Sequence, residues 1–237
     1  MRGLFTYCIA VLVMMSSCQK ILFNDSEETR TILPGEFSSA RIKGICDLVL
    51  VQDSTDRIII SGSNNISSIK AGVLNDTLVI DDGGGFSMNP GKNTIELHFT
   101  RLDYLVTYDP VNLTNKGVLK ADRLSWDGIG EIAEASLVLD CNLFIFCNSA
   151  NTLGFVKLSG RVETLIVFNR YGSSVLADGL SCRYADITNE SAGDVYVNAS
   201  ERLVAYIWGP GNIYYQGDPV TDIREAKGTG NLIKFLP

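Results

Sequence analysis

The sequence predicts an all-β chain folded as a parallel β-helix-like solenoid, with turns of about 20 residues. Three observations carry that prediction. Short β-branched runs alternate with Gly, Asn, Asp and Ser; no segment shows a helical apolar stripe; and from residue 107 one unit recurs seven times. The segments TYDPVNL, WDGIGEI, FCNSANTL, FNRYGSSV, ITNESAGDV, IWGPGNI and AKGTGNL begin at Thr107, Trp126, Phe146, Phe168, Ile187, Ile207 and Ala226, spaced by 19, 20, 22, 19, 20 and 19 residues. One turn of that size cannot bury its own apolar face, whereas stacked turns bury a continuous column. A propeller blade needs about twice this period, and a leucine-rich horseshoe needs an L-x-x-L-x-L frame that is missing.

Residues 1–17 read as a secretory signal. Arg2 precedes a 12-residue apolar run at 4–15, too short for the roughly 20 residues of a membrane-spanning helix. Met15-Ser16-Ser17-Cys18 resembles the lipobox of bacterial lipoproteins, with Met15 in place of the usual Leu. That resemblance implies lipidation of Cys18, which becomes the first mature residue. Several acyl chains anchor far better than one, so the expected partner is a membrane surface, with the protein lipid-anchored in the bacterial envelope at the outer membrane. Residues 18–30 are polar and aperiodic and form the lipidated N-terminus and a tether. A single domain then covers 31–237.

Early strands are expected at 42–51, 57–61, 74–80 and 94–99. In the last, Ile95, Leu97 and Phe99 share one face and Thr94, Glu96 and His98 the other, which predicts a solvated His98. The loop 85–92 (GFSMNPGK) has one residue too many for a phosphate loop, and Asn93 replaces the required Ser or Thr. It reads as a hairpin-like connection.

Within the repeat, each corner leads to an apolar residue (Ile132, Leu153, Val175, Val195, Ile213, Leu232). A polar one recurs at Asn112, Glu131, Asn151, Ser173, Asn212 and Asn231. Stacked Asn and Ser predict side-chain ladders. The repeat also places Cys141 and Cys182 in one column two turns apart, about 9.6 Å, beyond the roughly 7 Å that a disulfide allows. Cys147 falls in another column, so Cys46, Cys141, Cys147 and Cys182 are expected to stay reduced. No CxxC pair is present, and no zinc site follows.

Residues 203–232 carry the frame L-x-A-x-x-x-G-x-G-N-I-x-Y-x-G-x-P followed by G-x-G-N-L. It is carried by Leu203, Ala205, Gly209, Gly211, Asn212, Ile213, Tyr215, Gly217 and Pro219, then Gly228, Gly230 and Asn231. With Phe37, IKGICDLVLVQ and GVLNDTLVID at the front, it resembles the auto-transporter adhesin head GIN-domain family over about residues 36–233. The corners DPVN, NSAN and NESAGD depart from that family's Gly-Ser-Gly corners. The resemblance implies a cell-envelope β-helix of adhesive character, without assigned catalytic residues.

Composition narrows the function further. With 20 Lys and Arg against 27 Asp and Glu, the formal charge is −7, which argues against nucleic acid as a partner. A single histidine excludes a His-rich metal site and any mechanism needing two imidazoles. Pectin-degrading enzymes use β-helices, and that rival class needs paired carboxylates. Here Asp81-Asp82 and Arg41-Ile42-Lys43 occur in the reverse of the polygalacturonase order, and Phe99 rather than Gly follows His98. No catalytic residue, metal or cofactor is expected. The expected role is a non-catalytic adhesin or binding module for a glycan or protein surface. A polysaccharide-processing enzyme and a lipid-binding envelope protein are the alternatives. Trp126, Tyr171, Trp208 and Tyr215 are the candidate aromatic surface, although Tyr214 and Tyr215 must face opposite sides of a strand. Open solenoid ends make a homo-oligomer a further expectation.

Overall fold

The computed structural model describes residues 28–62, 66–82, 93–130, 132–149 and 154–236. Cys18, the loop 85–92, Glu131, Asn151 and Leu153 lie outside the described residues. In chain order the strands are β1 (Glu28–Ile32), β2 (Ser39–Lys43), β3 (Cys46–Gln52), β4 (Arg57–Gly62), β5 (Lys70–Leu74), β6 (Thr77–Asp81), β7 (Asn93–Phe99), β8 (Tyr104–Thr107), β9 (Val111–Lys116), β10 (Leu119–Gly128), β11 (Ile132–Asn148), β12 (Phe155–Asn169), β13 (Ser174–Asn189), β14 (Val195–Ile207), β15 (Ile213–Gln216), β16 (Val220–Ala226) and β17 (Leu232–Lys234). A single 3₁₀ turn covers Ile66–Ser68.

The solenoid read from the sequence is the fold. From β8 onward each strand pairs in parallel with the equivalent strand one turn away. In-register partners are 20 residues apart at Trp126↔Phe146, 21 at Phe146↔Val167, 20 at Val167↔Ile187 and 18 at Ile187↔Ala205. Stacking at this register builds one inward column of Leu105, Trp126, Phe146, Val167, Ile187 and Ala205. A second runs through Leu113, Ala135, Val156, Val175, Val195 and Ile213. All of them are buried, and each large aliphatic or aromatic member contributes about 1.5–3 kcal/mol by leaving water.

The unit starts read from the sequence are corrected at four turns, Ala226 included, because Ile223 rather than Ala226 pairs with Ala205. Trp126, Phe146 and Ile187 share a column, but Val167 joins them rather than Phe168, and Leu105 and Ala205 rather than Thr107 and Ile207. The sequence aligned the glycine-rich corners, and corners of unequal length slide the core positions beneath them by one to three residues.

The N-terminal third is less regular. The run 42–51, expected as one strand, bends at Gly44, whose φ of 116° suits glycine. A Cβ there would lie 2.3 Å from the Asp82 carboxyl carbon, and the Gly44 N–H donates to Asp109 at 2.8 Å. The run 74–80 is likewise broken, because Asn75 and Asp76 both take positive φ (48° and 60°). That is the signature of a two-residue hairpin turn, and it pairs β5 with β6 antiparallel. The β2–β3 turn is inserted out of order: β2 pairs with β6 and β8, and β3 with β7 and β9. Beyond it, β4 adds to β7 and β1 to β4, both antiparallel.

A buried polar column runs up one corner. Asn148, Asn169, Asn189, Ser173 and Ser191 are all fully buried. Asn169 donates through Nδ2 to Asn189 Oδ1 (3.1 Å) and to the Ser173 carbonyl (2.9 Å), and it accepts from Ser173 Oγ (2.7 Å). Asn189 Nδ2 donates to the Gly193 carbonyl at 3.1 Å. The ladder was expected at other positions. Of those, Ser173 belongs to it, while the Asn231 N–H donates to Asn212 Oδ1 (3.0 Å) in a separate stack and Asn112 donates to Asp47 (2.7 Å).

Candidate binding surface

Parallel stacking gives the tube its outward faces, and two of them differ sharply. The charged flank contains residues 159–163 of β12 and their equivalents. Arg161 lies directly over Asp140 and pairs with it at 2.9 Å. Arg183 bridges Glu163 and Glu201, both at 2.6 Å, and Asn142 donates to Asp122 at 2.8 Å. The Arg183 hydrogen bond holds the Glu201 carboxyl below its usual value. A shallow depression of about 420 Å³ runs along this flank, with Cys141 and Cys182 among its lining residues. Gly160, with φ of 102°, makes the bend here; a Cβ would sit 2.2 Å from the Leu139 carbonyl oxygen.

The apolar flank follows on the same strands. Its outward columns are Arg123, Leu143, Thr164, Tyr184 and Arg202; Ser125, Ile145, Ile166, Asp186 and Val204; and Asp127, Cys147, Phe168, Thr188 and Tyr206. Phe168 and Tyr184 are exposed, while Ile145, Ile166, Val204 and Tyr206 are half-buried. Within this sheet face sits Asp186, between Ile166 and Val204 in the stack. Burial pushes its carboxyl above the usual value, with Arg202 and Arg224 opposing. Both arginines bond to Asp222 instead, at 3.3 and 2.8 Å.

The four aromatic residues expected at the surface do not form one strip. Trp126 is a correction: it is 1% exposed, donates through Nε1 to Thr107 Oγ1 at 3.2 Å and tilts against Phe146 at 4.9 Å. It is core because its strand position alternates inward. Tyr215 is likewise corrected, since it pairs with inward-facing Val197 and packs against the core. Tyr214 takes the outward side and stacks on Tyr196 at 4.8 Å. Tyr171 (52% exposed) and Trp208 (39%) remain at the surface, at one corner two turns apart. Trp208 meets Tyr206 edge-on at 6.0 Å and carries Lys227 over its ring at 5.4 Å.

His98 is also corrected. It is 6% exposed, flanked in register by Val51 and Arg57. Its Nδ1 lies 3.0 Å from Asp53 and its Nε2 3.5 Å from Glu96, too long for a hydrogen bond. Asp53 also pairs with Arg57, and Glu96 with Lys116, both at 2.7 Å. The Ser54 N–H, then His98, lower the Asp53 carboxyl to about 2. The four described cysteines are free thiols. Val162 separates Cys141 from Cys182 in register, as the repeat required, and burial pushes Cys46 and Cys182 up to about 12. Among the described residues no three His, Cys, Asp or Glu are placed to hold a metal ion.

The apolar flank was missed, yet a signal for it exists. The runs LFIFC (143–147), LIVF (165–168) and LVAYI (203–207) are apolar at consecutive positions, where a strand with one wet face alternates. In a single-walled tube one side of each strand must face out, so such a run marks an apolar outer face.

Fold and surface together define a β-solenoid that displays side-chain columns along its flanks. The chain belongs to the family described as "Putative auto-transporter adhesin, head GIN domain", which matches residues 36–219. Similar solved structures include a "putative adhesin" from Bacteroides fragilis, 22% identical, covering 90% of this chain and 98% of that one with a TM-score of 0.80. A protein described as "putative lipid binding" from Parabacteroides distasonis is 17% identical over the same shares, with a TM-score of 0.63. A "putative adhesin" from that organism is 16% identical, again over 90% and 98%, with a TM-score of 0.62. No match was found among curated proteins.

Proposed function

We propose that this chain is a non-catalytic adhesive module of the bacterial envelope, held to the outer membrane through a lipid on Cys18 and binding a glycan or protein with its apolar flank. The observation that carries the reading is that flank: Ile145, Ile166, Phe168, Val204 and Tyr206 stand outward on β11, β12 and β14, to either side of Asp186 and Thr188 on β13, where a solvated sheet face would be polar throughout. Membership in an adhesin-described family supports it. The polar lipobox-like start at Cys18 supports the anchor, and the formal charge of −7 argues against nucleic acid.

The test is adhesion of cells expressing the full chain. Phe168→Ser combined with Ile166→Ser is expected to reduce retention on host-cell or glycan-coated surfaces at least tenfold with the melting temperature little changed. Unchanged retention overturns the reading. Radiolabelled palmitate is expected on the parent chain and absent from Cys18→Ala; label on neither, or on both, removes the anchor. Hydrolysis of an acidic polysaccharide that depends on a single Asp would make the chain an enzyme instead. The lipid-binding reading, drawn from the Parabacteroides distasonis relative, predicts flank-dependent flotation with vesicles lacking any protein.

A further inference from the structure

We propose that the apolar flank of β11–β14 docks a polypeptide that lays a lysine or arginine, set among aliphatic side chains, onto Asp186. This rests on the adhesive reading above and names the partner class of that same surface.

Asp186 is the argument. It stands in an outward column between Ile166 and Val204, with Tyr184 and Thr188 two residues away on its own strand. Among the described residues its carboxylate makes no hydrogen bond or ion pair. The nearby guanidiniums of Arg202 and Arg224 are engaged by Asp222. Every arginine of the charged flank, by contrast, has a carboxylate partner one turn away. A half-buried carboxylate without a partner is costly to keep charged, and Asn at this position would keep the shape without that cost. The arrangement fits a partner that delivers the missing cation.

The rest of the patch selects the partner's class. Side-chain columns on a strand recur about every 6.8 Å and turns about every 4.8 Å. A field of Ile145, Ile166, Val204, Phe168 and the Tyr206 ring therefore surrounds the carboxylate, interrupted by the hydroxyls of Thr164, Tyr184 and Thr188. Lysine and arginine suit the apolar field, because their methylene stems lie along apolar surface while the charged head reaches a carboxylate. An ion pair formed there is shielded from water by both surfaces, which favours specificity over raw affinity.

The experiment is selection of a random phage-displayed peptide library on the purified mature chain, followed by fluorescence anisotropy of enriched peptides against parent, Asp186→Asn and Ile166→Ser chains. Enriched peptides are expected to carry Lys or Arg flanked by aliphatic residues. Their Kd is expected to rise at least tenfold both with Asp186→Asn and when glutamine replaces the peptide cation. Asp186→Asn is expected to melt no lower than the parent, which separates that loss from unfolding. Ile166→Ser is expected to weaken the same peptides, which confirms the apolar field. The proposal is overturned if no peptide is enriched, if enriched peptides lack a cation, or if they bind Asp186→Asn as well as parent. It is also overturned if the Asp186-dependent ligand proves to be a phosphatidylethanolamine vesicle or a second copy of the chain. Adhesion that is lost with the Phe168→Ser, Ile166→Ser pair but intact in Asp186→Asn overturns this inference alone and leaves the adhesive function standing.

Discussion

The two flanks are made by the same strands, a few residues apart, and they solve the problem of facing water in opposite ways. On the charged flank each long side chain finds an opposite charge one turn up or down: Asp140 with Arg161, and Glu163 and Glu201 with Arg183. Like charges stacked at about 4.8 Å would repel along the whole tube, so alternation between turns is the condition for having charges there at all. On the apolar flank Asp127 accepts a hydrogen bond from Tyr104, whereas Asp186 makes no hydrogen bond or ion pair, and the nearby Arg202 and Arg224 are held by Asp222. The difference shows that stacking does not oblige a solenoid face to be polar or internally satisfied. A face left unsatisfied is available to another molecule.

The sharpest way to break the comparison is to remove what both flanks lean on. Asn169 sits fully buried at the corner that ends the apolar flank, and Asn169→Ala strips partners from Asn189, the Ser173 carbonyl and Ser173 Oγ. The expected cost is about 3 kcal/mol, read as a drop of about 9 °C in melting temperature for a domain of this size. A loss under about 1 kcal/mol would mean that the corner is not a structural column.

Arg183→Ala tests the charged flank. Despite two short contacts, the residue is well exposed, and the expected cost is small, shrinking further in 1 M salt. A larger, salt-insensitive loss in chemical denaturation would show that the ladder acts as one cooperative network.

Asp186→Asn should act in the opposite direction. Its carboxyl is raised in the folded chain above the roughly 3.9 of an unfolded one, so the folded state binds the proton more tightly. The penalty is therefore absent below about pH 4. It develops as pH rises through the folded value and is full at neutral pH. Melting curves should show the variant more stable than the parent at pH 7 and equal to it near pH 3. A variant less stable at pH 7 would give Asp186 a structural role.

The smallest effect concerns thiol access. Cys147 stands half-buried in the apolar flank beside Phe168, whereas Cys46 and Cys182 are buried and raised to about 12. Iodoacetamide at pH 8 should label Cys147 first in the native chain, and the two buried thiols only on unfolding; mass spectrometry of tryptic peptides reads the order.

Much of the tube was legible in the sequence, because a period near 20 residues with apolar columns has few other foldings. The shared column of Cys141 and Cys182 followed from that period alone. Side-chain direction was less legible. Trp126 was assigned outward because the corner, rather than the core column, set the frame; a shift of one residue reverses every side chain on a strand. Alternation puts His98 in solvent, but it cannot show Asp53 from the β3–β4 connection and Arg57 from β4 closing over it. The Arg183 ladder was invisible for a related reason, since its partners are 18 and 20 residues distant and only the final register brings them together. Asp186 is not legible as a site in the sequence, because an acidic residue in a strand is ordinary until its neighbours on the adjacent turns are known.

The out-of-order turn has a mechanical meaning. β2 and β3 are each gripped on both sides by strands that come later in the chain. Tension applied at the N-terminus reaches them only after it has peeled β1 from β4, a ladder of five residue pairs. To go further, it must extract a whole turn from between two neighbours and rupture both sets of backbone hydrogen bonds, instead of unwinding an end turn held on one side. A tube pulled at that end resists as a wedged plate does, and a pull at the opposite end would uncoil it one turn at a time.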